Sequence, residues 1–164
     1  EPFIAALYDG EADPQGFTPL DRPVRLADGA ALEGWRTRPI SGRLRISTLW
    51  RVEDTPPGAT LQQFHHLYPL GPEADAACAR GEAPDQPDWA AIALAPPLFS
   101  ADVPVSAGSW RIGDRLIVMA DVFGLPAGAY ALRAGHYTLP GVARIPRTDG
   151  SDGAADLGAF CVHE

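Results

Sequence analysis

Four histidines and a group of aspartates are the side chains in this sequence that could bind a metal ion or move protons. His65 and His66 are adjacent in an alternating segment, while His136 and His163 lie far downstream. Successive side chains of a strand point to opposite faces, so the adjacent pair cannot easily bind one metal ion. A zinc site needs three or four converging ligands, which this spacing does not demand. We predict structural or exposed histidines, with no metal and no other cofactor.

Carboxylates on a Gly-rich segment are the other candidate metal ligands. Asp149, Asp152 and Asp156 lie in DGSDGAAD, and calcium prefers carboxylates on such loops. The EF-hand spacing is absent, because Ser151 and Gly153 stand where further ligands would be. We therefore predict a solvated turn. With no G-x-S-x-G segment and no cysteine in a recognisable catalytic motif, we predict no catalytic residues and rank a hydrolase last.

Aromatic residues could form a carbohydrate-binding site, since an exposed ring takes the apolar face of a sugar while charged neighbours hold its hydroxyls. Trp89 follows the polar stretch PDQPD, and Tyr137 alternates away from the apolar residues of its own segment. Packing in a core is the ordinary role of such rings. If the chain binds sugar, we predict that Trp89, Tyr137 and Arg144 bind it.

The elements that position these residues alternate with period two, the pattern of strands with one buried face. Residues 115–122 and 130–137 are the clearest cases, and LPAG between them predicts a hairpin. Further strands are predicted over Gly42–Val52, Leu61–Leu70 and Leu157–His163. Eight or nine short strands predict an all-β fold, a single antiparallel two-sheet β-sandwich of Ig-like or jelly-roll type, with the strand order left open.

The chain divides into an N-terminal arm or edge segment, residues 1–23, and one sandwich domain, residues 24–164. Within the first segment, Phe3–Tyr8 predicts an edge strand or an ordered arm, and residues 9–23 predict a loop. Residues 71–88 predict a long acidic loop with one helical turn at Ala74–Ala79.

Charge and composition exclude some partners. The 164 residues carry a net charge of −8, which opposes binding to nucleic acid or to an anionic membrane surface. All 13 basic residues are Arg, and their scatter along the sequence favours coding bias over a binding role. The sequence contains no apolar run of membrane-spanning length and no signal peptide. Because it opens at Glu1 without Met, we expect a mature or trimmed chain that would reach a membrane only through a missing anchor or a partner.

The two cysteines leave two interpretations open. A Cys78–Cys161 disulfide would close a loop of about 80 residues and stabilise an exported domain by about 4 kcal/mol in the chain-entropy model. Alternatively both remain thiols, with Cys161 buried in the final strand.

Several segments together resemble the β-sandwich module on the C-terminal, extracytoplasmic side of bacterial membrane glycosyltransferases of the dolichyl-phosphate-mannose–protein mannosyltransferase type. The resemblance covers residues 24–163. The segments that carry it are LADGAALEGW (Leu26–Trp35), GRLRISTLWR (Gly42–Arg51), FHHL (Phe64–Leu67), the W-x-x-G-D turn of Trp110, Gly113 and Asp114, PAGAYALRAGHY (Pro126–Tyr137) and ARI (Ala143–Ile145).

The resemblance implies an accessory module outside the cytoplasm, without glycosyl transfer because the membrane-embedded catalytic part is absent. Two positions depart from the family pattern: His136 replaces an apolar residue, and Thr138 replaces an expected Asp. We expect a non-catalytic module that is periplasmic, secreted or membrane-tethered, with a glycan or an envelope protein as its partner. The alternative is a structural sandwich that mediates protein–protein contacts.

Overall fold

Two antiparallel sheets face each other across a shared apolar core in the computed structural model, which describes residues 16–54 and 60–164 and the backbone of residues 4–8. Every strand pair is antiparallel. The predicted all-β, two-sheet sandwich is therefore confirmed.

Sheet I has five strands in the order β1-β7-β4-β3-β2. They are β1 (Ile4–Tyr8), β2 (Thr18–Arg25), β3 (Ala30–Ile40), β4 (Arg43–Val52) and β7 (Arg115–Phe123). Of the two N-terminal alternatives, the edge strand is the one the structure contains. The predicted loop over residues 9–23 is wrong from Thr18 onward, where the chain pairs with β3 despite its prolines. An edge strand tolerates proline because one side of its backbone has no ladder to complete.

Sheet II has the order β10-β8-β5-β6, and a two-residue strand, β9, pairs with the end of β8. The strands are β5 (Leu61–Pro69), β6 (Phe99–Val105), β8 (Gly128–Thr138), β9 (Ala143–Arg144) and β10 (Ala155–Val162). The remaining regular elements of the described chain are α1 (Pro72–Ala79), α2 (Trp89–Leu94) and a 3-10 turn (Ala107–Ser109).

Alternating apolar residues of both sheets fill the core. Every second residue of β4 and β7 faces inward, and the same holds for β8 opposite them. These residues include Leu44, Ile46, Trp50, Leu116, Val118, Ala120, Val122, Tyr130, Leu132 and Ala134. The predicted strand faces are confirmed, because burial of one face is what the period-2 pattern encodes.

The predicted hairpin between the two most regular segments is wrong. β7 pairs with β1 and β4 in sheet I, whereas β8 pairs with β5, β9 and β10 in sheet II. The LPAG segment therefore carries the chain from one sheet to the other. Alternation reports which face of a strand is buried but not which strand lies beside it, so two strands facing one core from opposite sides have the same pattern as a hairpin.

Helix α1 lies against the outer face of sheet II and is fixed there by a disulfide. Cys78 of α1 and Cys161 of β10 form the bridge, with their Cα atoms 5.6 Å apart. The Asp75 carboxylate also accepts a hydrogen bond from the Ala129 amide, at 2.7 Å. Of the two cysteine interpretations, the disulfide is the correct one. α1 begins at Pro72, two residues before the predicted helical turn.

No helix among the described residues is long and apolar enough to cross a membrane.

Candidate functional site

The outer face of sheet II carries polar and aromatic side chains at the end that α1 and α2 leave open. We call this group the outer row. It comprises Phe64 and His66 of β5, Asp102 of β6, Arg133 and Tyr137 of β8, and Arg144 of β9. Strand alternation puts all of these residues on one face, and the pairing of Tyr137 with Arg144 makes two of the predicted ligand residues direct neighbours.

Tyr137 reaches across β5 towards β6. Its hydroxyl donates to Asp102 Oδ2 at 2.7 Å, and Asp102 Oδ1 accepts from the Ser100 hydroxyl at 2.9 Å. Partial burial, together with the hydrogen bond to the Asp102 carboxylate, raises the pKa of Tyr137 to about 12. The phenol is therefore a fixed donor at neutral pH, held in place over the sheet.

Arg144 covers the ring of Phe64. Its guanidinium carbon lies 4.8 Å from the ring centroid, and its Nη1 donates to Asp152 at 3.0 Å. The ring itself packs over Gly135, directly opposite on β8, where a Cβ atom would lie 2.6 Å from Phe64 Cζ. Glycine is required here because the ring approaches the backbone more closely than any side chain allows.

His66 and Arg133 occupy directly opposed positions on β5 and β8. The Arg133 guanidinium is buried and donates from Nε to Asp156 at 2.7 Å. Partial burial lowers the pKa of His66, and the nearby Arg144 and Arg133 lower it further, with the Asp102 carboxylate acting in the opposite direction. The outer row thus presents a largely neutral imidazole between two paired guanidinium groups.

Trp89, the third predicted ligand residue, lies away from the other two. It opens α2 and packs, half-buried, against the cluster of Tyr68, Ile92 and Ala131. Gln62 lies beside Tyr137 and Tyr68 beside Ala131, so about six residues of β5, or roughly 20 Å, separate the two locations. The structure brings Tyr137 and Arg144 together and places Trp89 at the opposite end of the same face.

The inner face of the same strands holds a second polar group, which we call the inner network. Its members are Asp28, Thr48, Gln63, His65 and His136, all of them buried. Asp28, in the turn before β3, lies 2.6 Å from His136 Nδ1 and accepts the Ala30 amide at 3.0 Å. The imidazole of His136 stacks on Trp50 with ring centroids 4.4 Å apart.

Hydrogen-bond donors and acceptors of the inner network can be assigned one after another. The Ala101 carbonyl can only accept, so His65 Nδ1 donates to it at 2.9 Å and His65 Nε2 accepts from Gln63 Nε2 at 2.9 Å. His65 is therefore neutral, and burial lowers its pKa to about 4. Gln63 Nε2 also donates to Thr48 Oγ1 at 2.7 Å, which leaves Gln63 Oε1 to accept from His136 Nε2 at 3.1 Å.

His136 Nε2 therefore donates to Gln63, and His136 Nδ1 shares a buried hydrogen bond with the Asp28 carboxyl group. An aspartate that orients a histidine is also an element of hydrolytic sites. Here the histidine is 1% exposed and its second nitrogen is already occupied, so no substrate can reach it. The sequence pattern misses this pair because its members are 108 residues apart.

The carboxylates of the predicted solvated turn are each engaged separately. Asp149 accepts from the amide and hydroxyl of Ser151, Asp152 pairs with Arg144, and Asp156 pairs with Arg133. Among the described residues no group of three or more His, Cys, Asp or Glu side chains is arranged to hold a metal ion.

A cleft of about 530 Å3 lies at the far end of the sandwich from Tyr137 and Arg144. The tip of the β3–β4 hairpin and the last residues of β10 form its walls, with Leu44, Val122 and Leu125 at its base. None of the predicted ligand residues lines it. The size of the cleft alone therefore does not make it the preferred site. The outer row brings more charged and polar side chains close together.

No family model, curated protein or solved structure matches this chain.

Proposed function

We propose that this chain is a non-catalytic, extracytoplasmic accessory module that binds carbohydrate through the outer row. The observation that carries the proposal is the meeting of the half-exposed Tyr137 ring with the exposed Arg144 and Asp102, at the end of the sheet that α1 and α2 leave free. Sugars are bound in this way, with ring faces against apolar carbon atoms and with charged groups against hydroxyls. The disulfide supports an oxidising location.

The existing ion pairs and hydrogen bonds hold the polar side chains of the outer row in orientations that allow hydrogen bonds to sugar hydroxyls. Arg144 and Arg133 are oriented by Asp152 and Asp156, and the Tyr137 hydroxyl is oriented by Asp102. A sugar hydroxyl can therefore donate to a carboxylate and accept from a guanidinium without large rearrangement of either. Hydrogen bonds to charged groups contribute about 1.5–3 kcal/mol each, and a shallow face makes few of them, so we expect millimolar affinity, about −4 kcal/mol.

The resemblance to the mannosyltransferase-associated module agrees with this proposal. It leads us to expect that the module acts beside an envelope or glycosylation system.

A glycan array probed with the labelled protein displayed in many copies on beads, with and without calcium, tests the proposal, because multivalent display makes millimolar binding detectable. We expect reproducible binding that Arg144→Gln weakens about tenfold, since one charge-assisted hydrogen bond is lost. Arg80→Gln is the matched control, because Arg80 is an exposed, carboxylate-paired arginine at the C-terminal end of α1. Trp89→Ala should weaken binding only of oligosaccharides that extend roughly 20 Å along β5.

A specific observation favours the alternative of protein–protein contact. Leu94 and Leu98, which follow Trp89, are 91% and 57% exposed. An array without binding to a folded, monodisperse protein would contradict the carbohydrate proposal. If Leu94→Asp/Leu98→Asp then abolished the capture of an envelope protein, the apolar surface beside α2 would be the contact site.

A further inference from the structure

Arginines scattered along the sequence converge on the outer face of sheet I. All eight charged side chains of β3, β4 and β7 lie there, six of them Arg and two acidic: Arg36, Arg38, Arg43, Arg45, Arg51, Arg115, Glu33 and Asp121. The excess of four positive charges occurs in a chain with a net charge of −8. The prediction from sequence scatter, that the arginines have no binding role, overlooked the alternation that brings them to one face.

The register places like charges directly opposite each other. Arg38 pairs across the strands with Arg45, and Arg51 pairs with Arg115. Like charges at directly opposed positions destabilise a sheet. Glu33 lies between Arg51 and Arg115, so the Arg38–Arg45 pair is the place where a bound anion would relieve like-charge repulsion.

The two carboxylates on this face are each shared between two arginines. Asp121 accepts from Arg45 at 2.8 Å and lies 3.2 Å from Arg43, and its pKa is lowered chiefly by the hydrogen bond from Arg45. Glu33 accepts from Arg51 at 2.7 Å and lies 3.8 Å from Arg115. The described residues provide no further carboxylate on these strands.

This sharing leaves over two arginines, Arg36 and Arg38. Arg36 covers the Phe17 ring, with its guanidinium carbon 4.3 Å from the ring centroid. Arg38 is exposed, and no carboxylate of the described residues lies within ion-pair distance of it. Its neighbour across the strands, Arg45, already uses two nitrogens on Asp121, at 2.8 and 3.0 Å. A carboxylate placed over the Arg38–Arg45 pair would therefore meet an unoccupied guanidinium.

We infer that the outer face of sheet I binds an acidic polysaccharide, a polymer whose carboxylates recur at regular intervals. Cations on a sheet form a fixed grid, about 4.8 Å apart between strands and about 6.8 Å apart at alternate positions of one strand. Such a grid matches a regular extended polyanion, and guanidinium groups bind carboxylates in a bidentate manner. The net charge does not prevent this contact, because salt screens charges beyond about 8 Å under physiological conditions.

This site goes beyond the proposed function and shares no residue with the outer row. The two sites lie on opposite outer faces of the sandwich, so variants of one sheet leave the other unchanged. Failure of one proposal is thereby distinguishable from failure of the other.

Titration of the full chain with polygalacturonate at several salt concentrations tests the inference. The test variant is Arg38→Gln/Arg43→Gln, which leaves Arg45 in place to hold Asp121. The control is Arg80→Gln/Arg111→Gln, two exposed arginines that lie outside β3, β4 and β7, with the same loss of charge. We expect salt-dependent binding that the test variant weakens about tenfold, with a salt slope smaller by about one per arginine removed. The control variant should bind as the unchanged chain does.

Three results would overturn the inference. One is a lack of salt-dependent binding to polygalacturonate by the folded chain, and another is an equal loss of affinity in the test and control variants. The third is tighter binding to a single-stranded oligodeoxynucleotide of the same charge, which would assign the face to nucleic acid instead. Circular dichroism and thermal unfolding of both variants establish that any loss of binding is not a loss of fold.

Discussion

His65 and His66 are neighbours in the chain but lie on opposite faces of β5. His65 belongs to the inner network, where it is sealed from solvent and its pKa falls to about 4. His66 belongs to the outer row, where it is half-buried and stacks near Phe64, with ring centroids 4.5 Å apart. The difference shows that, because successive side chains of a strand point to opposite faces, two adjacent and chemically identical residues lie in different environments and serve different functions.

The two groups also differ in how completely their hydrogen bonds are satisfied. In the inner network every donor finds a protein acceptor, so the network stabilises and orders the core but offers nothing to a ligand. In the outer row the Arg144 and Asp152 side chains of one ion pair are 43% and 52% exposed, while the buried Arg133 pairs with a partly exposed Asp156. A polar group whose hydrogen bonds are all made within the protein is suited to a structural role, and one that still has accessible donors and acceptors is suited to binding a ligand.

Matched Asp→Asn substitutions should give the largest contrast between the two groups. Asp28→Asn disturbs the buried hydrogen bonds that the Asp28 carboxyl group makes with His136 Nδ1 and the Ala30 amide, and we expect it to lower the free energy of unfolding by about 2–3 kcal/mol. Asp102→Asn on the outer face should cost less than about 1 kcal/mol. Urea denaturation measures both variants. Equal costs would contradict the sealed, fully hydrogen-bonded state of the inner network.

Acid should weaken the inner network through His65. Its pKa is lowered to about 4, chiefly by burial and in smaller part by His136 and His66, while the Ala101 carbonyl and Asp102 oppose the shift. The unfolded chain takes up this proton near pH 6.5 and the folded chain near pH 4, so stability is complete above pH 6.5 and falls as the pH drops. We expect a loss of about 3 kcal/mol between pH 7 and pH 4.

The free energy of unfolding of the unchanged chain and of His65→Gln, measured across this range, isolates the contribution of His65. The difference between the two proteins should shrink as the pH falls. A constant difference would contradict the buried, neutral state of His65.

Gly135 connects the two faces, because it lies between inward-facing residues of β8 and supports Phe64 on the outside. A Cβ atom at this position would collide with Phe64 and with the Gly153 carbonyl, so Gly135→Ala should destabilise the protein by about 1–3 kcal/mol. Gly141→Ala, where nothing lies within 4 Å, should have little effect. Thermal unfolding compares the two. A silent Gly135→Ala would show that Phe64 does not pack over β8 as described.

Tyr137→Phe should have the smallest effect on stability. Its hydrogen bond to Asp102 is exposed, so we expect a cost below about 1 kcal/mol by urea denaturation. Ultraviolet titration should show that Asp102→Asn returns the pKa of Tyr137 from about 12 towards its ordinary value of about 10. An unchanged titration would mean that the carboxylate does not hold the phenol.

Alternation in the sequence predicts the faces of the strands well. It places Leu116, Val118 and Tyr130 in the core and His65 and His66 on opposite faces, because burial of one face is a local property of each strand. The bounds of β4 and β5 are predicted almost to the residue for the same reason.

Alternation within one segment cannot predict the contacts between segments that are distant in the sequence. The Asp28–His136 pair, the disulfide and the separation of β7 from β8 depend on the strand order, which no local signal encodes. The arginine face is a different case. Arg43, Arg45 and Arg51 share one face of the predicted strand Gly42–Val52, so an analysis of charge on each strand face would have indicated part of it, whereas Arg36 and Arg38 lie outside the predicted strands.

The central claim is that β5 and β8 turn a sealed network inward and an accessible row outward. Deuterium exchange at the imidazole C2 position, measured by mass spectrometry on each histidine, tests it directly. We predict that His65 and His136 exchange at least roughly tenfold more slowly than His66, since exchange at buried sites requires opening of the structure. Exchange of all three at similar rates would contradict the account, because the inner network would then be open to solvent.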